Sequence, residues 1–335
     1  MSNSDRRVTR QIAMGIRQSA LKYSQLLSNK KLVLAISGGP DSLAMLLATQ
    51  YVGSKIRQKV IAAHFSHGLR PIEDEIEKNL VKDVAKICGV RFVSGADNVA
   101  ANESAAREAR YNYLSKVAIE NDAIAIMTAH TRDDQAETVL LRLARGSGLK
   151  GISAIREMSS QVFLGNKIFL LRPMLKATRE QTEAACLENE IAPARDKSNE
   201  SVNYSRNRVR LNVIPELIKI NSQAQAALVS FAERAASDDE FLENFALSAV
   251  TEFEIRTPYK VEWDKRRLRA LPEPLLIRVL ENSWRYLTGE GSTLGSEKIR
   301  QIINVIKTSG HTDLGKKGQL VNVKGDKVAM MVSGK

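Results

Sequence analysis

The stretch KLVLAISGGPDSLAMLLATQ, Lys31–Gln50, decides the fold. An apolar run, Leu32 to Ile36, stops at Ser37-Gly38-Gly39-Pro40-Asp41-Ser42, and a second apolar run follows at once. Where a buried strand ends and a helix opens, an open parallel sheet binds its ligands, at the carboxyl ends of the strands. Glycines let the backbone fold into a concave nest of N–H groups with no side chain in the way. The helix N-terminus adds partial positive charge, and Ser42 can supply a hydroxyl. Asp41 would repel phosphates unless a cation sits between them, and Mg²⁺ suits that position. The run is neither GxxxxGK[ST] nor GxGxxG, and no lysine follows the glycines. The competing reading is an ordinary tight strand-to-helix turn.

The pattern around this stretch alternates. Strand-like runs fall at Leu32–Ile36, Lys59–Phe65, Arg91–Ser94, Ala123–Thr128 and Lys167–Leu171. Helical stretches lie at 8–28, Ser42–Tyr51, Ile72–Cys88, Glu103–Glu120 and Asp133–Arg145. Short apolar strands alternating with helices predict an α/β domain, a Rossmann-like parallel sheet with helices on both faces. After Leu171 the pattern turns helical, over Thr178–Asn189, Tyr204–Ile220 and a long stretch, Ala224–Thr251. Within the last, ERAASDDEFLENF is acidic and reads as an exposed connection. The final segment, Phe253–Lys335, has 16 Lys/Arg against 9 Asp/Glu, a balance of +7. Its helices (Glu273–Leu287, Ser296–Lys307) and strand-like pieces (Gln319–Val323, Lys327–Val332) predict a smaller basic α+β domain. The expected division is 1–220, a helical linker 221–252, and 253–335.

The 335 residues, 43% hydrophobic and 26% charged, are those of a globular protein with chain enough for two domains. The net charge of +12 points to a polyanionic partner, nucleic acid ahead of anionic membrane. Two cysteines far apart, Cys88 and Cys186, exclude a disulfide scaffold, a zinc ribbon or an iron–sulfur site. They suit a reduced, cytoplasmic protein. No stretch approaches the length needed to span a membrane.

Three further stretches carry chemistry. AAHFSHGLRP places His64, His67, Gly68 and Arg70 at a strand end; Arg70 is the phosphate candidate, because extended spacing puts the two histidines on opposite faces. ESAAREARYNYL sets Arg107 and Arg110 three apart on one helix face, beside Tyr111 and Tyr113. TAHTRDDQAETVLLRLARGSGLKGI begins at a strand end and runs into a helix. There Asp133, Asp134 and Glu137 crowd the first turn and help cap it. Asp134 and Glu137, at i,i+3, share a face that suits an ammonium group. His130, just before, is placed for proton transfer or phosphate contact.

SGGPDS resembles the pyrophosphate-binding loop of the N-type ATP pyrophosphatases, the PP-loop superfamily. Together with AHxxxDQxET, LRPMLKATREQ and RDKSNESVNYSRNRVRLNVIPEL, it resembles the tRNA(Ile)-lysidine synthetase family over roughly residues 30–220, in its compact form. Asp196, Ser198, Asn199, Tyr204, Arg206, Asn207 and Arg210 match that family's pattern. The resemblance implies ATP-dependent attachment of L-lysine to the wobble cytidine of tRNA(Ile) with a CAU anticodon, through an adenylated tRNA. It implies that Ser37, Gly38, Gly39, Pro40, Asp41, Ser42 and Arg70 hold ATP and its pyrophosphate, with Mg²⁺ on Asp41, joined there by Asp134 as a second candidate. Arg110, His130 and Arg206 are the candidates at the α-phosphate and, with Asp41, the catalytic set. Asp134 and Glu137 would bind lysine. Arg206 and Arg210, with Lys265, Arg266 and Arg267 of the basic C-terminal segment, would contact tRNA. A homodimer is one allowed assembly. Three alternatives stand beside this reading: a tRNA-thiolating PP-loop enzyme, a non-catalytic RNA-binding protein, and an amidotransferase-type synthetase.

Overall fold

The computed structural model describes residues 6–68, 70–97, 103–163, 165–194, 205–289, 292–314 and 319–332. The chain forms two compact units, residues 1–233 and 234–335. The division falls inside a single helix, α7 (Ala224–Val250).

Unit 1 is built on six strands: β1 (Lys31–Ala35), β2 (Val60–Ser66), β3 (Arg91–Ala96), β4 (Ala123–Met127), β5 (Met158–Phe163) and β6 (Asn166–Leu171). Their order is β3-β2-β1-β4-β6-β5. Neighbours pair in parallel except β5 and β6, which form an antiparallel hairpin. The sequence reading misses β5 and, with it, the one antiparallel pairing in this sheet. MSSQVF has no apolar run, because an edge strand needs to bury little.

From β1 the chain moves outward to β2 and β3, then returns on the other side through β4 and β6. The order therefore reverses between β1 and β4, and the crevice at their carboxyl ends is the topological switch point. Ser37–Ser42 follows β1, and His130 follows β4. Two unrelated stretches of sequence thus meet because of the winding alone.

Burial on both faces fixes β1 at the centre. Leu32 and Leu34 pack with α1 (Arg7–Lys22) and α2 (Pro40–Ala48), while Val33 packs with Leu114, Val117 and Ala118 of α4 (Glu103–Glu120) on the other face. Each such buried side chain contributes ~1.5–3 kcal/mol. Helix α2 is buried nearly all round, from Ser42 to Ala48, which marks a core helix. On the α2 face lie α3 (Pro71–Cys88) and α6 (Arg179–Glu188). Pro71 opens α3, and Gly89, at φ +64°, closes it in a left-handed turn.

Unit 2 is an antiparallel sheet of order β7-β8-β11-β10-β9: β7 (Glu254–Thr257), β8 (Lys260–Asp264), β9 (Gly310–Asp313), β10 (Leu320–Lys324) and β11 (Lys327–Met331). Amphipathic helices α8 (Glu273–Thr288) and α9 (Ser296–Thr308) bury Leu276, Leu280, Trp284, Ile302 and Ile306 against Val261, Trp263, Val321, Val328 and Met330. The acidic stretch within α7 is not uniformly exposed as expected. Asp239 is buried in an ion pair with Arg278 at 3.1 Å. Among the described residues, no helix is long and apolar enough to cross a membrane.

Candidate active site

The turn after β1 is built as a brace with an open mouth. Gly38 sits at φ +93°. A Cβ there would stand 3.6 Å from Glu77 and 3.7 Å from Ala194, so conformation rather than space demands glycine. The Gly38 carbonyl accepts from the Ala194 amide at 3.0 Å. The Ser42 hydroxyl donates to the Gly39 carbonyl at 2.9 Å and accepts from the Ser37 amide at 3.2 Å. Ser42 therefore shapes the loop from within. No side chain caps α2, and Pro40 has no N–H. The amides of Asp41 and Ser42 are left without an intrahelical partner. That is an anion-binding helix end.

Asp41 faces α6. The Thr182 hydroxyl donates to its Oδ1 at 2.5 Å, and the Arg179 guanidinium lies 3.6 Å from Oδ2. Burial pushes the Asp41 carboxyl up from its ordinary value, Thr182 and Arg179 oppose this, and the nearby charges of Asp134 and Asp133 add to it. The sequence reading names neither Arg179 nor Thr182. The only local signal was the Thr178-x-x-Gln181 capping box, which starts α6 and so fixes where the next turn points.

The described residues contain no cluster of three or more His, Cys, Asp or Glu side chains able to hold a metal. Carboxylates raising one another's proton affinity across the crevice fit a hard cation that arrives with phosphate oxygens and keeps water. That is the habit of Mg²⁺ rather than of a protein-caged ion.

Helix α5 (Arg132–Ala144) carries the acidic pair. Thr131 and Asp134 form its capping box: Asp134 Oδ2 accepts from the Thr131 amide at 2.7 Å. The other oxygen, Oδ1, accepts from Arg206 at 2.7 Å, and Glu137 Oε2 accepts from the same guanidinium at 2.6 Å. The i,i+3 pair thus converges on one cation, supplied by the chain itself. Glu137 is 2% exposed, and its Oε1 is buried without a hydrogen-bond partner. Burial raises its pKa, partly offset by Arg206. Asp133 stands in the first turn of α5, as the sequence suggested, and also reaches outward. Its Oδ2 accepts from the Arg179 amide at 2.9 Å and its Oδ1 from Gln225 at 3.2 Å. It ties the starts of α6 and α7 to the crevice.

His130 pairs with the Thr128 hydroxyl at 2.8 Å. Burial lowers its pKa to about 4; Asp134 opposes this, and Arg172, Arg206 and Arg107 reinforce it. The ring is therefore neutral near pH 7 and can donate through one nitrogen and accept through the other. A histidine neutral when folded favours the fold above its unfolded value of 6.5 and loses that contribution as pH falls toward about 4. The full effect is about 3 kcal/mol. Glu137 and Asp41, raised rather than lowered, act with the opposite sign, stabilising the fold as pH falls. His130→Gln is expected to flatten the decline of Tm between pH 6.5 and pH 4. An unchanged slope in a pH series of thermal melts would contradict this.

The remaining predicted residues are distributed unevenly. His64 is a core residue: its Nδ1 donates to the Ile36 carbonyl at 2.9 Å, and it is 1% exposed. It locks the end of β2 to the start of the glycine turn. Arg70 precedes α3 and is half-buried. Arg110 sits in the field of His67, whereas Arg107 acts on His130. Arg172, unremarked in the sequence, is 8% exposed and donates to the Arg156 carbonyl at 2.8 Å and to Ser159 at 3.0 Å. An arginine inside the apolar run FLLRPML was the available signal.

Arg210 lies half-buried in a π-helical turn, Val209–Val213, which precedes the helix Ile214–Ile220 containing Pro215. Asp196, Ser198, Asn199 and Tyr204 lie outside the described residues. In unit 2, Arg266 is 84% exposed, while Lys265 donates to Ser309 at 2.6 Å and Arg267 pairs with Glu252 at 2.6 Å over the ring of Phe253.

A family model described as PP-loop domain matches residues 8–217, more than half of the sequence. The chain belongs to the PP-loop domain family. Curated relatives bear the name tRNA(Ile)-lysidine synthase. The protein of Dehalococcoides mccartyi is 30% identical over 86% of this chain and 62% of its own length. That of Geobacillus kaustophilus is 33% identical over 87% and 65%. That of Nostoc sp. is 37% identical over 65% and 63%. The chain thus spans less than two thirds of the length of these relatives. Among solved structures, the U34-tRNA thiolase NcsA from Methanococcus maripaludis, with its [4Fe-4S] cluster, superposes with TM-score 0.55 at 18% identity, covering 68% of this chain and 79% of that one. The likeness is one of fold.

Proposed function

We propose that this PP-loop protein ligates lysine to carbon 2 of the wobble cytidine of tRNA(Ile) with a CAU anticodon, with ATP consumed to AMP and pyrophosphate. The observation that carries this reading is the ammonium-shaped site beside the nucleotide nest. Asp134 and Glu137 converge on the Arg206 guanidinium, and the buried Glu137 Oε1 still lacks a donor. Two carboxylates thus face one guanidinium, with Arg179 the next cation acting on Glu137.

The residues divide the work. The cytosine 2-oxygen attacks the α-phosphorus of ATP, and pyrophosphate leaves into the amides at the head of α2. The lysine amine then attacks carbon 2, the carbon–oxygen bond breaks, and AMP leaves. Two easier displacements replace one hard one. Asp41 would hold Mg²⁺, which would neutralise the departing charge. Neutral His130 hydrogen-bonds the α-phosphate region. Arg206 keeps the acid pair from over-stabilising the protonated amine, and Glu137, its pKa raised by burial, takes the proton. The exposed Arg266, with Lys265 and Arg267, adds sequence-independent grip on tRNA phosphates. Free lysine and tRNA meet in the cytoplasm, where we place the protein.

The decisive assay combines the protein with this tRNA, ATP, Mg²⁺ and labelled lysine. Label is expected to enter RNA only with a CAU anticodon. Label entering RNA irrespective of the anticodon, or none entering in preparations that bind ATP, would refute the reading.

The rival reaction, thiolation, needs reactive thiols. Burial pushes the thiol pKa of Cys88 to about 11 and that of Cys186 to about 12, and both are buried. Neither is a thiolate near pH 7. Replacing both with alanine is expected to leave lysine incorporation within about twofold, as single-turnover assays would measure. Loss of activity in a folded double variant would restore thiol chemistry to consideration.

A further inference from the structure

Arg172 carries a charge that the described fold does not settle. It stands one residue past β6, at the carboxyl end of the sheet. It is 8% exposed, and an arginine is seldom buried so far without a partner. Its Nη1 donates to the Arg156 carbonyl at 2.8 Å and to the Ser159 hydroxyl at 3.0 Å, two neutral oxygens. Its Nε is buried with no hydrogen-bond partner. Among the described residues, no carboxylate pairs with it. The groups whose charge acts on it are the Tyr111 phenol and a second arginine, Arg107 of α4. A guanidinium keeps its proton in a protein, so the buried charge stays in place and calls for an anion. Thr128 links that charge to the crevice. Its amide donates to the Leu171 carbonyl at 2.9 Å, and its hydroxyl pairs with His130 at 2.8 Å. His130 lies in the field of Asp134 and, at the same time, in those of Arg172 and Arg107. An acidic pole on α5 and a basic pole past β6 therefore share one histidine.

We infer that Arg172, supported by Arg107, holds the α-carboxylate of the lysine whose side-chain amine meets Asp134 and Glu137. The inference rests on the ligation reading above and adds a specificity residue to it. A free amino acid with a cationic side chain carries the complement of both poles, an ammonium at one end and a carboxylate at the other. The unpartnered Nε is one arm of the two-bond fork that a guanidinium makes with a carboxylate. Two features separate this oxyanion from the phosphates. In the order β1-β4-β6, β6 lies two strand spacings from β1, or about 10 Å. A diphosphate seated at the β1 turn does not reach that far. RNA phosphates belong to a polymer and are met by exposed cations such as Arg266, 84% exposed. Arg172 is enclosed, which suits a small free ligand.

The test compares L-lysine with L-lysinamide, which replaces the carboxylate by an uncharged amide of the same shape. The full chain is assayed with the CAU tRNA, ATP and Mg²⁺, and kcat/KM is measured for each amine by mass analysis of the RNA product. Arg172→Gln is expected to lower the lysine-to-lysinamide ratio of kcat/KM about 10- to 150-fold, the range for losing a hydrogen bond to a charged group. The loss should appear in KM for lysine. Arg172→Lys, which keeps the charge, should restore part of the ratio. Arg107→Gln, at an exposed position, should lower the same ratio by a smaller factor, and it carries the test should Arg172→Gln fail to fold. An unchanged ratio in every folded variant overturns the assignment. So do losses that fall equally on lysine and lysinamide, which would give Arg172 to a phosphate or to the joint between β5 and β6. Lysine incorporation by the wild type, run in parallel, separates the two readings. Incorporation with an unmoved ratio sinks this assignment alone, and no incorporation sinks the ligation chemistry and the assignment with it.

Discussion

Glu137→Gln is expected to lower kcat/KM for lysine by about 10²–10⁴, while tRNA-dependent ATP–pyrophosphate exchange changes little. Glutamine fills the same volume but removes the charge that pairs with Arg206 at 2.6 Å. The same carboxylate is the proposed proton acceptor, and losing a general base costs about 10²–10⁴ in rate. Steady-state assays with lysine varied, alongside exchange assays, separate the two half-reactions. Equal losses in both would move Glu137 into nucleotide chemistry. Arg206→Ala gives the complementary split. Removing the internal cation leaves the acid pair to the substrate, so KM for lysine should fall. Yet kcat should fall too, since the amine is then held protonated more firmly. A raised KM would mean that Arg206 binds lysine rather than occupying its place.

How much of this could be read beforehand depended on whether a feature was local. The glycine turn, the five parallel strands and the helix Glu103–Glu120 follow from patterns within a few residues: apolar runs, a Pro-Asp-Ser helix start, period-3.6 burial. The convergence of Asp134 and Glu137 is also local, because three residues of helix fix it. What escaped was set by tertiary partners. Asp133 reads as a first-turn acid, and its carboxylate also serves the amide of Arg179, 46 residues away. Thr182 and Arg179 reach Asp41 only because α6 packs on α2. Strand β5 is polar because an edge tolerates polarity. Arg206 gave no sign that it would fill the acid pair, since its partners lie 69 and 72 residues earlier.

Asp41→Asn is expected to cut tRNA-dependent ATP–pyrophosphate exchange by about 10²–10³, the scale of losing one electrostatic contact to a departing anion. It should leave Tm within a few degrees of the wild type. Both halves follow from the environment. The carboxyl is buried, with its pKa already raised by that burial and by Asp134 and Asp133, so ionising it opposes folding rather than supporting it. An amide of equal size keeps an acceptor for the Thr182 hydroxyl at 2.5 Å and surrenders only the loose contact with Arg179 at 3.6 Å. A carboxylate whose ionisation opposes folding, at the uncapped head of α2, is what the proposed reaction asks for. Exchange kinetics across a Mg²⁺ series add a further discriminator. If Asp41 works through the ion, the variant's midpoint shifts to higher Mg²⁺ and part of the rate returns. If exchange falls without any change in Mg²⁺ dependence, the carboxylate acts on Arg179 and the loop, and the metal assignment fails while the pyrophosphate nest survives.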